Sequence, residues 1–196
     1  MQKFISVFII ALSSFFITPA HAQNWDINLL KNINPQYPKA GFWSATTSSV
    51  YPVSGALPVG LLVVGYIDKN KKLQQEGWQA AGALAINLAI TEGLKYSINR
   101  ERPYEKYNFI YPYDGSDNGK SFPSGHVSMA FATATTLTLE CKKWYVIVPA
   151  YLWASGVGYS RLYLGEHYPS DVFAGAAVGA GSALLSNWLS KKIFKK

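Results

Sequence analysis

Cysteine is almost missing from this chain: Cys141 is the only one in 196 residues. An intrachain disulfide is therefore excluded, and export would not imply a disulfide scaffold. Histidine is scarce as well. His21 falls in a leader-like start, which leaves His126 and His167, too few His and Cys for an ordinary zinc site. Acidic residues are outnumbered, 11 Asp and Glu against 18 Lys and Arg, for a formal charge of +7. A basic balance suits nucleic acid, anionic lipid or an anionic substrate. An exported chain meets little nucleic acid, and the lysine positions point to a membrane. Internal repeats and low-complexity tracts are also lacking.

The first 22 residues read as a secretory signal. Lys3 supplies a short positive start, Phe4 to Ile17 an apolar run, and Ala20-His21-Ala22 the small residues ahead of a cleavage before Gln23. The alternative is an uncleaved first anchor, and either puts the following segment across the inner membrane. Residues 23–49 form an amphipathic N-terminal segment. Within it, Trp25, Leu29 and Ile33 recur at helical spacing with Leu30 alongside, which suits a short helix lying on a membrane surface or one packed on a core. Pro35 and Pro38 end it.

Residues 50–196 hold five apolar stretches of helical length, roughly 50–67, 78–98, 123–139, 144–160 and 171–190. Several fall short of the ~20 residues that a bilayer core requires, and the mean hydropathy of +0.04 is low for a polytopic protein. A soluble periplasmic helical protein is thus the rival reading. Charge favours the membrane. Half of all Lys and Arg lie in 68–77, in 140–143 and after residue 190, segments that fall on one side when the loops are counted from an outside N-terminus. The same count puts loops 99–122 and 161–170 together on the other, outer side. The expected fold is an all-α membrane bundle of about five or six helices. In 171–190, Gly175, Gly179 and Ala183 at four-residue spacing allow another helix to approach closely. Loop 103–122 is long and rich in aromatics, as functional loops and membrane interfaces both are.

Three polar clusters fall in or beside those outer loops. The first is KYSINRERP, with Lys95 near a helix end and Arg102-Pro103 just past it. Alone it reads as a snorkelling lysine and a solvated arginine. The second is SFPSGH, residues 121–126, at the start of a helix. Ser124 can cap that helix, and the N–H groups behind it form a ready phosphate site; an ordinary cap followed by a buried histidine is the plainer alternative. The third is SRLYLGEHYPSD, residues 160–171. Arg161 offers a planar fork for phosphate oxygens. Pro169 suits the first turn of a helix. Asp171, four residues after His167, is placed to bond one ring nitrogen and leave the other more basic. Together the clusters suit a multiply charged anion, with one histidine as nucleophile and one as proton donor.

K-x6-RP, PSGH and SR-x5-H-x3-D resemble the three motifs of the type 2 phosphatidic acid phosphatase superfamily, which also holds bacterial acid phosphatases and vanadium haloperoxidases. The resemblance covers about residues 50–190 and implies a phosphate site at the outer end of the core helices. It implies that His167 attacks phosphorus, Asp171 orients it, and His126 serves as acid and then base. Lys95, Arg102, Arg161, Ser124 and the Gly125 N–H would hold the phosphoryl oxygens, with neither metal nor cofactor. Glu166 departs from the pattern, where an apolar residue is expected in many members. It is expected to face water, the alternatives being a tuning of His167 or a contact to a substrate headgroup.

With the membrane reading, the implied substrate is a lipid phosphate or diphosphate: undecaprenyl diphosphate, phosphatidylglycerol phosphate, phosphatidic acid or a lipid A phosphate. It would be cleaved at the periplasmic face of the bacterial inner membrane. A soluble periplasmic acid phosphatase of broad specificity is the alternative; a vanadium haloperoxidase or a non-enzymatic lipid-phosphate binder stands further off. Oligomeric state is not encoded in any feature of the sequence.

Overall fold

The computed structural model describes residues 19–39, 41–113 and 119–194. Most of the expected signal segment lies outside them. Among the described residues the chain is all helical, in the order α1 (Pro19–Ile33), α2 (Phe42–Ser48), α3 (Val50–Ile67), α4 (Lys71–Ile98), α5 (Pro103–Lys106), α6 (Gly125–Cys141), α7 (Trp144–Tyr163) and α8 (Pro169–Ile193). The five expected apolar stretches are α3, α4, α6, α7 and α8. α4 starts seven residues earlier than expected because the Asn70 side chain accepts from the N–H groups of Lys72 and Leu73, capping the helix. Gln74, buried in what reads as a lysine-rich loop, donates to the Gly65 carbonyl at 2.8 Å.

α6 is the central helix and packs on α4, α7 and α8. Its approach to α8 depends on the small residues of the expected row. A Cβ on Gly179 would stand 2.1 Å from the Ser128 carbonyl oxygen, and one on Gly175 2.7 Å from that of Ser124. The core between α3, α6 and α7 is built from small aliphatics, Val50, Val127, Ala130, Ala134, Ala150, Ala154 and Val157.

Polar side chains join the helices inside this core. Thr133 donates to Ser54 at 2.8 Å, Thr91 and Ser128 are 3.1 Å apart, and Ser186 donates to the Gln79 carbonyl at 2.7 Å. Large apolar side chains instead point outward: Val59 and Val63 on α3, Leu88 and Ile90 on α4, Val148 and Leu152 on α7, Leu184 and Leu185 on α8. That inversion is what a bilayer solvent selects, with small and polar residues as the glue between helices. It also explains the low mean hydropathy. Among the described residues two stretches, Phe42–Ile67 and Pro169–Ile193, are long and apolar enough by themselves to cross a membrane. The others dilute their apolar surface with inward residues such as Asn87 and Thr91 on α4.

α1 packs on the bundle through part of the expected stripe, Leu30 with Ile33 beside it, on a face turned away from Trp25. Trp25 is exposed, whereas Ile27 and Leu30 are buried against Ile110, Leu162 and Tyr168. The helix is turned because Asp26 also faces inward, at 3% exposure. Asn34 secures its end: its amide donates to the carbonyls of Tyr111 and Tyr163, both at 2.9 Å, and accepts from the Tyr111 N–H at 2.8 Å.

Candidate active site

The C-terminal ends of α4 and α7 and the N-terminal ends of α6 and α8 meet at one end of the bundle. The lysine-rich turns at 68–70 and 142–143 and the last turn of α8 form the other end. All three sequence clusters therefore share one end, and hydrogen bonds knit them together. Ser124 N donates to the Asp171 carbonyl at 3.1 Å, and the Ser121 hydroxyl donates to Asp171 Oδ2. Ser121 N donates to the Arg100 carbonyl at 2.8 Å, and Lys95 Nζ to the Lys120 carbonyl at 2.9 Å.

His167 lies in the tight connection between α7 and α8. Gly165 makes the turn with φ +74°, and a Cβ there would strike the Tyr111 carbonyl at 2.6 Å. Pro169 then opens α8, as expected. His167 is 1% exposed. Its Nδ1 is 3.5 Å from Asp171 Oδ2, too long for a closed hydrogen bond. The expected bond is not closed because Oδ2 already accepts from the Ser121 hydroxyl and from Tyr168 N at 2.9 Å. Burial, followed by the charges of Arg161 and Arg102, pushes the His167 pKa down to about 3 against the opposing pull of Asp171. The imidazole is neutral at any physiological pH.

Arg102 and Arg161 are buried, at 3% and 4% exposure. Glu166 is buried between them, which corrects the expectation that it faces water. Its Oε2 is 3.1 Å from Arg102 Nη1 and 3.7 Å from Arg161 Nη2. The two guanidiniums are what make burial of this carboxylate tolerable. Arg102 Nη1 also donates to the Glu166 carbonyl at 3.0 Å, and Nε to the Gly119 carbonyl at 2.9 Å. Arg161 Nη1 donates to Thr47 of α2 at 3.2 Å.

Ser124 stands at the N-cap position of α6 but makes no capping bond. Its hydroxyl is wholly buried without a hydrogen-bond partner, at the positive end of a helix. Gly125 and His126 form the first turn of α6, and the His126 ring meets the Tyr51 ring edge-on at 5.1 Å.

Two participants were not singled out from sequence. Arg100, inside the KYSINRERP stretch, donates to Asp171 Oδ1 at 2.7 Å and to Asp26 Oδ2 at 2.8 Å. Asp26 accepts in turn from Ser170 N at 2.8 Å and from its hydroxyl. A cavity of about 100 Å³ opens beside them, lined by Arg100, Glu101, Lys106, Tyr107 and Tyr168; neither histidine lines it.

A helical membrane bundle with a neutral imidazole, a buried carboxylate beside it and several cations at one end has the chemistry of a candidate anion site. The chain belongs to the PAP2 superfamily, whose model matches residues 76–195. It is 38% identical over 118 residues to the lipid A 1-phosphatase of Porphyromonas gingivalis, covering 57% of this chain and 24% of that protein. It is 33% identical over 116 residues to an undecaprenyl-diphosphatase of Sulfolobus acidocaldarius, covering 59% of this chain and 56% of that one. The chain thus spans less than three fifths of the length of these curated relatives. Among solved structures, a transmembrane PAP2 type phosphatidylglycerolphosphate phosphatase from Bacillus subtilis superposes with a TM-score of 0.73, over 100% of this chain and 99% of that one. Its 24% identity makes this a likeness of fold.

Proposed function

We propose that the chain hydrolyses a lipid phosphate or diphosphate, without a metal, through a phosphohistidine on His167. The observation that carries this reading is the buried pairing of His167 with Asp171, joined by hydrogen bonds to the SFPSGH turn. His167 presents Nδ1 to Asp171, so Nε2 is the attacking atom. Its lone pair forms a bond to phosphorus as the bond to the leaving oxygen breaks. His126 gives that oxygen a proton. Asp171 stabilises the positive charge that the ring acquires, closing its 3.5 Å approach to a hydrogen bond as charge develops.

Lys95, Arg102 and Arg161, with the Ser124 hydroxyl and the Gly125 N–H, neutralise the equatorial oxygens of the transition state. His126, now neutral, takes a proton from water. The resulting hydroxide attacks phosphorus, the P–N bond breaks, and inorganic phosphate leaves His167 as it began.

The membrane bundle supports a substrate whose tails remain in the bilayer, as do the lipid A 1-phosphatase and undecaprenyl-diphosphatase among its relatives. The lysine-rich opposite end supports a site facing the periplasm, reached after export on the segment at 1–22. Phosphate release from purified phosphatidic acid, phosphatidylglycerol phosphate, undecaprenyl diphosphate and lipid A, with His167→Ala as the blank, tests the reading. Release from at least one, abolished in the variant, is expected. No release from any, or equal release by the variant, overturns it.

A further inference from the structure

We propose that Arg100 and Asp26 are positioning residues of this site, so that the N-terminal helix completes the catalytic apparatus. The inference rests on the reading of His167 and Asp171 given above. Asp171 is wholly buried, and its Oδ1 is engaged by Arg100 Nη1 at 2.7 Å. Ser121 and Tyr168 N already hold Oδ2, and holding the second oxygen as well fixes the tilt of the carboxylate toward the imidazole. Arg100 holds it, and Arg100 is itself fixed from two sides. Asp26 takes Nη2 at 2.8 Å, and the guanidinium lies over the Tyr168 ring at 3.7 Å from its centroid.

Asp26 has little freedom of its own. It is 3% exposed and accepts from the N–H and hydroxyl of Ser170, next to Asp171 in sequence. One guanidinium thus bridges two carboxylates, using the two ends of its planar fork. A lysine could not span both in this way. The chain of contacts runs from α1 through Arg100 to Asp171 and ends at His167. Asp26 lies far upstream of residues 76–195, the part that matches the superfamily model. The buried, inward-facing Asp26 also accounts for the turned face of α1, which an ordinary surface helix would not need.

The test uses the full chain in detergent and phosphatidic acid or undecaprenyl diphosphate, whichever the wild type cleaves. Arg100→Gln is expected to lower kcat by about 100-fold with KM within about threefold, and Asp26→Asn to lower kcat by about tenfold. Because Asp26 acts through Arg100, the double variant is expected to be no slower than Arg100→Gln within about twofold. Multiplied losses, a change confined to KM, or a normal kcat in Asp26→Asn overturns the proposal. Should Arg100→Gln fail to fold, Arg100→Lys replaces it: adding Asp26→Asn then costs under about threefold, and a full tenfold cost there is the contrary result. His167→Ala serves as the independent control. If it stays active, the underlying assignment fails; if it is dead while Asp26→Asn is normal, only the positioning inference does.

Discussion

The Glu166 carboxylate lies 3.1 Å from the Arg102 guanidinium, and both are out of water. In the proposed mechanism a substrate phosphate competes with this carboxylate for the same cations. Replacing Glu166 with Gln keeps the shape and removes one negative charge from between Arg102 and Arg161. Vanadate, which mimics the five-coordinate phosphorus, is then expected to inhibit about tenfold more tightly, equivalent to about 1.4 kcal/mol. Weaker inhibition in Glu166→Gln would mean that the carboxylate holds the arginines in place and does not compete.

Asp171 accepts from Ser121, Tyr168 N and Arg100, and stands beside Nδ1 of His167. Asp171→Asn puts an amide among those donors and removes the charge that, in the proposed mechanism, stabilises the imidazolium. A loss of about 10³- to 10⁴-fold in kcat is expected, measured as steady-state phosphate release. A loss under tenfold would remove Asp171 from the mechanism.

How much of this was legible in the sequence differs from residue to residue. A close helix approach along α8 could be read from Gly175, Gly179 and Ala183, because their spacing is local, although α6 as the partner could not. The start of α8 could be read from Pro169. The shared end of the three clusters followed from loop parity. What could not be read were partnerships across long separations. Glu166 looks solvated until Arg102 and Arg161 are seen on either side of it. Asp26 looks like a polar residue of an amphipathic helix until Arg100, 74 positions away, is found against it. The lysines of 68–77 suggested a loop, whereas the Asn70 side chain caps and starts α4 there.

His167 is neutral when folded, with its pKa pushed down to about 3 by burial and then by Arg161 and Arg102, against 6.5 when unfolded. The unfolded chain therefore binds a proton that the folded chain refuses. The histidine's contribution is fully present above pH 6.5 and is lost progressively as pH falls from there toward 3. Melting temperatures in detergent should fall less steeply between pH 7 and about 4 in His167→Gln than in the wild type. Parallel curves would contradict a buried neutral imidazole.

A methyl group at Gly179 would stand 2.1 Å from the Ser128 carbonyl oxygen and 2.8 Å from Ala132 N, both backbone atoms of α6. Neither can move without shifting the helix that carries His126. Gly179→Ala is expected to destabilise the fold by about 3 kcal/mol, the upper part of the overpacking range, seen as a lowered melting temperature. An unchanged melting temperature would mean that α6 and α8 are further apart.

In the proposed mechanism the phosphoryl group is bonded transiently to Nε2 of His167. Rapid acid-free quenching of the enzyme with lipid substrate labelled in the scissile phosphate measures this directly. The label is expected on the peptide containing His167, stable to base and labile to acid, in wild type and absent from His167→Ala. Label on another residue, or turnover with no protein-bound label and undiminished rate in His167→Ala, would contradict the account.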